Sequence, residues 1–113
     1  MKPNELKGKL VEMGWVISTS PFKSNIKWYA WKSMPEMPHC TCNERPPSLI
    51  LWPYSSPFSA ETHDSVEFEI TGEAKGNWFK LRMYSVDMND AVDKIPAAEK
   101  YLGGAWNFVA RGE

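Results

Sequence analysis

The sequence predicts a single α+β domain with a mostly antiparallel sheet of about five strands and a helix at each end of the chain, both packed on one face. Three observations carry this. Apolar residues recur at helical spacing near both ends and alternate at strand spacing between them. The 113 residues are 42% apolar, enough for one core without disulfide or metal staples. A run of strands flanked by helices is the pattern of segregated α+β folds.

Residues 3–13 form the first predicted helix. Pro3 suits a first turn, Leu6, Leu10 and Met13 share a face, and Gly14 stands where a helix-ending glycine belongs. Strands are expected at 15–19 and 26–32, joined by a turn around Pro21. The second has faces Ile26/Trp28/Ala30 and Lys27/Tyr29/Trp31. Six of the nine prolines lie between positions 35 and 57. Proline cannot donate to a ladder, so the segment 33–64 is expected to be Pro-rich loop around one short strand, 49–52, closed by Pro53.

The hairpin at 65–85 is the best-determined element. Val66, Phe68 and Ile70 alternate with Glu67 and Glu69, and Phe79, Leu81 and Met83 alternate with Lys80 and Arg82. One register joins the two apolar sets on one face and sets Lys80 and Arg82 beside the glutamates, which are expected to be solvated. The turn falls within 72–77. Asp87 can cap a short helical turn at 88–93. Because proline is excluded from a helix interior, the last helix is expected to begin near Asp93 or Lys94, with Pro96 in its first turn. Ile95, Ala98, Leu102, Ala105, Trp106 and Val109 then share one face. Gly103-Gly104 either weakens that helix or permits a close approach.

Charge narrows the function classes. The chain carries 13 basic and 14 acidic residues, whereas duplex-DNA binding calls for a basic excess. Residues 1–57 hold seven basic and four acidic residues, and residues 58–113 six and ten. The longest uncharged run, 46–60 with Arg45 before it, is broken by prolines, so no membrane span is expected. No apolar stretch follows Met1–Glu5, so no secretory signal is expected and the cytoplasm is the expected compartment.

Aromatic content is the anomaly: six Trp, four Tyr and five Phe. Trp and Tyr are enriched at interfaces. Trp52, Tyr54 and Phe58 in the Pro-rich region, with Met34 and Met37, suggest a contact surface or a cover for the sheet. Tyr29, Trp31, Trp78, Lys80, Arg82 and Tyr84 form a second candidate surface. Aromatics interleaved with cations suit base stacking and phosphate attraction, so single-stranded nucleic acid is one alternative partner. The facing glutamates oppose it. His39, Cys40 and Cys42, with His63, are the only soft ligands and define a zinc alternative, but C-x-C lacks the usual C-x₂₋₄-C spacing.

No catalytic constellation is found. His63, Asp64 and Ser65 are adjacent, whereas triads assemble from separated segments. Neither a phosphate-binding Gly loop nor H-E-x-x-H occurs. The expectation is a non-enzymatic protein, without cofactor, that binds another protein as a monomer or homodimer.

The hairpin Val66 to Ser85 and the tail Tyr101-Leu102-Gly103-Gly104-Ala105-Trp106-Asn107 resemble small orphan proteins encoded by phages and prophages. The resemblance covers the last half of the chain. It implies a cytoplasmic accessory protein that acts by binding, such as an inhibitor of a host factor, and transfers no catalytic residue.

Overall fold

The computed structural model describes residues 3–19, 28–37, 46–54, 65–74 and 76–111. Helix α1 (Pro3–Glu12) leads into strands β1 (Val16–Thr19), β2 (Trp28–Ser33), β3 (Ser48–Tyr54), β4 (Ser65–Ala74) and β5 (Asn77–Asp87). A 3₁₀ turn (Met88–Asp90) opens onto helix α2 (Ala91–Arg111). The sheet order is β1-β2-β3-β4-β5, with every pair antiparallel. The fold is α+β, as the sequence predicts.

Gly14 terminates α1 in the left-handed region, at φ 88°. The Gly14 N–H donates to the Val11 carbonyl and the Trp15 N–H to the Leu10 carbonyl, both at 3.0 Å. These two bonds are those of a Schellman motif, whose apolar contact is supplied here by buried Leu10 and Trp15. Leu6 and Leu10 are buried as expected, but Met13 is exposed, because the helix ends one residue before it.

The core lies between the helices and one sheet face. Trp28 and Ala30, Leu49 and Leu51, and Val66, Phe68 and Ile70 meet Leu6 and Leu10 of α1 and Ile95, Ala98, Leu102 and Trp106 of α2. At its rim Lys32 pairs with Glu99 of α2, its ammonium 5.4 Å from the centre of the Trp15 ring.

Two boundaries and one register depart from expectation. β3 runs through Pro53 to Tyr54 rather than stopping at Trp52. Its pairing with β2 ends at Leu51 while its pairing with β4 continues to Tyr54. Among the described pairings Pro53 has a strand neighbour on the β4 side alone, a position where a missing N–H is tolerated. α2 begins at Ala91, two to three residues early, which puts Pro96 in its second turn. Proline has no N–H to donate to the Val92 carbonyl four residues back, so the helix goes without that one bond in its second turn. The Asp87 carboxylate caps the preceding turn, accepting from the Asn89 N–H at 2.8 Å. In the hairpin, Arg82 lies opposite Glu69 as expected, but Lys80 lies opposite Thr71. Val66 faces Val86 and Phe68 faces Met83, so two steps of β4 span three of β5 and leave a bulge opposite Glu67.

Of the two readings of Met34 and Met37, a contact surface or a cover for the sheet, the structure shows the second: Met34 lies in the core and Met37 packs half-buried against it. Met34 is buried, and its N–H donates to the Pro47 carbonyl at 2.8 Å. Met37 packs on Gly103 of α2, where a Cβ would lie 2.6 Å from the Met37 methyl carbon. The close approach at Gly103 is thus to this methionine.

Candidate aromatic binding face

Among the described residues, no helix packs on the opposite sheet face. Strand parity and register place Val16 and Ser18 on it from β1, Tyr29 and Trp31 from β2, and Ile50 and Trp52 from β3. β4 contributes Glu67, Glu69, Thr71 and Glu73, and β5 contributes Trp78, Lys80 and Arg82. The two aromatic groups inferred from sequence, Tyr29/Trp31 and Trp78/Lys80/Arg82, thus share one face, with Trp52 between them.

The rings are set by cross-strand contacts. Tyr29 and Trp52 lie with centroids 4.6 Å apart and planes tilted by 32°. The Trp31 indole N–H donates to Ser18 Oγ at 3.2 Å, fixing the ring against β1. Trp78 is 61% exposed at the start of the edge strand.

Glu67 and Glu69 are not the solvated pair the alternation suggests. They are only 6% and 3% exposed. Their cross-strand neighbours on β3 are Trp52 and Ile50, and Arg82 reaches them from β5. Arg82 Nε donates to Glu69 Oε1 at 3.0 Å and stands 3.5 Å from Glu67 Oε1. One guanidinium thus stands beside both carboxylates. Such a charge-assisted pairing offsets the cost of taking the acids out of water. It also engages Arg82 within the sheet, which diminishes it as a phosphate ligand.

At one end of this face lies a cleft of about 720 Å³, within the range of small-ligand sites. Trp31 and Trp78 both line it. Its other lining groups include Pro46, Ser48, Thr71, Gly72 and Glu73. Ser48 is opposite Thr71 in the ladder, and Glu73 is opposite Trp78. Thr71 Oγ1 donates to the Phe79 carbonyl at 3.3 Å. The cleft thus combines two indoles, two hydroxyls and a carboxylate.

Of the residues singled out from sequence, Tyr29, Trp31, Trp52, Trp78, Lys80 and Arg82 come together on this face. Tyr54 and Tyr84 lie in β3 and β5, but their side chains, like Phe58, His39, Cys40, Cys42 and His63, are outside the described residues. Among the described residues no cluster of three or more His, Cys, Asp or Glu could hold a metal ion, and no helix is long and apolar enough to cross a membrane. Sequence reading missed Ser48, Thr71 and Glu73. The signal for Glu73 was present, since the alternation through Glu67, Glu69 and Thr71 continues to it.

No family model matches the chain, and no curated protein or solved structure is significantly similar to it.

Proposed function

We propose that this protein is a binding module, not an enzyme, and that it engages a protein partner through the helix-free face. One observation supports this above the others: Trp31 and Trp78, from strands three places apart in the sheet, line a single cleft. Aromatic anchors seated in or around a pocket dominate the energy of protein interfaces. Trp31 is held by Ser18 and gives up little freedom on binding. An accessory role in the cytoplasm, as the phage-protein resemblance implies, accords with this reading.

Single-stranded nucleic acid is the weaker partner. Glu67, Glu69 and Glu73 share the face with Lys80 and Arg82, and Arg82 is engaged by two of the carboxylates. That arrangement opposes the attraction that phosphate binding requires.

The test is paired affinity capture with wild type, Trp78→Ala and Phe108→Ala. Phe108 is an exposed aromatic on α2, across the sheet from the cleft. A protein captured by wild type and Phe108→Ala but lost with Trp78→Ala is the expected result. Loss with Phe108→Ala alone would transfer the interface to the helical side. Salt-sensitive quenching of Trp fluorescence by a single-stranded oligonucleotide would replace a protein partner by nucleic acid.

A further inference from the structure

We propose that the Trp31–Trp78 cleft receives an arginine side chain presented by the protein partner. The inference rests on the binding reading above and specifies its chemistry. The cleft brings together what a guanidinium uses. Indole faces attract a cation through the ring quadrupole, and tryptophan does so best among the aromatics. Glu73 lies directly across the ladder from Trp78 and lines the same cleft, so a cation against that indole also meets a carboxylate. Ser48 and Thr71 add hydroxyl oxygens able to accept N–H donors.

The choice among occupants follows from charge and polarity. Among the described residues the charged side chain lining the cleft is Glu73, while Glu67 and Glu69 are engaged by Arg82. A carboxylate there favours a positively charged visitor. A purely apolar side chain would displace water from the Glu73 carboxylate and the Ser48 hydroxyl without offering either a charge or a hydrogen bond. Arginine suits the cleft better than lysine. Its guanidinium is planar, stacks on aromatic faces, is less strongly hydrated and can bind a carboxylate through two parallel N–H donors. The volume of about 720 Å³ also leaves room for the peptide on either side of the arginine.

The experiment uses capped pentapeptides, Gly-Gly-X-Gly-Gly, with X as arginine, lysine, citrulline or phenylalanine. Binding is read from the indole N–H resonances of Trp31 and Trp78 in the intact chain. Citrulline keeps the shape of arginine and removes the charge. The arginine peptide is expected to shift both resonances saturably, with the citrulline peptide about tenfold weaker. Glu73→Gln should weaken the arginine peptide several-fold, and Trp78→Ala should abolish the shift at Trp31. Circular dichroism of both variants controls for folding. Equal binding of the citrulline or phenylalanine peptide would overturn the arginine assignment and leave the binding face standing. The assignment also falls, and the face stands, if no peptide moves the indoles while partner capture still depends on Trp78. If no peptide binds and capture is indifferent to Trp78, both the assignment and the binding face fall.

Discussion

Gly72 shows how much one missing side chain determines. It faces the core near the end of β4, opposite Phe79 of β5, within a strand, where glycine normally weakens a sheet. A Cβ built there would lie 2.8 Å from the Trp106 ring and 3.1 Å from Pro47 Cα. Trp106 is fully buried, so its indole is fitted against bare backbone. Gly72→Ala is therefore expected to destabilise the fold by about 1–3 kcal/mol through overpacking. Urea denaturation at equilibrium measures it. An unchanged midpoint would mean that Trp106 has room to retreat. Gly72 also lines the cleft, so the same glycine is shared by the core and the candidate site.

At the scale of elements, β5 is the long exposed edge of the sheet. Edges of this kind invite pairing with other chains, and charged residues and bulges are what commonly blunt them. β5 has both: exposed Lys80 and Arg82, and the bulge opposite Glu67. In the symmetric registers centred on Lys80 or Leu81, self-pairing of β5 would bring Lys80 against Lys80 or Arg82 of a second copy, a like-charge contact that destabilises the ladder. Lys80→Val removes that repulsion and is expected to raise self-association, read as a heavier species by sedimentation velocity. A variant that stays as monomeric as wild type would assign the protection to the bulge alone.

The same elements show what the sequence makes legible. The hairpin register followed from two strands whose alternations agree, and the end of α1 followed from Gly14. The end of β3 was hidden because a proline reads as a stop until its neighbours on each side are known. The burial of Glu67 and Glu69 was hidden for a similar reason. Alternation along one strand marks a face as polar, but Trp52 and Ile50 come from another strand 15 to 19 residues earlier. The cleft needed the complete strand order, since Trp31 and Trp78 are separated by 47 positions.

For the whole molecule, the two faces of the sheet divide the work. Helices and apolar side chains close one, while aromatics and paired charges occupy the other. A binding surface built on paired strands is held more rigidly than one built on loops. This fits a receptor whose shape precedes its ligand. Its affinity should respond more to the chemistry of individual side chains than to backbone rearrangement.

The strand order, identical to the order along the chain, has a consequence for synthesis. Each strand can pair with its predecessor as soon as it is made, because every pairing joins consecutive strands. α2 is made after the entire sheet, yet it packs on both β4 and β5 and touches α1. Until Trp106 emerges, the nascent sheet has Phe68, Ile70, Leu49 and Leu51 open to water. A chain cut after Asp90 is therefore expected to bind a hydrophobic dye and to aggregate, with addition of residues 91–111 abolishing both. A soluble, dye-silent truncation would show that the sheet can shield itself. If the dye binds, α2 acts as the latch on the sheet, and folding in the cell depends on how long the open sheet must wait for it.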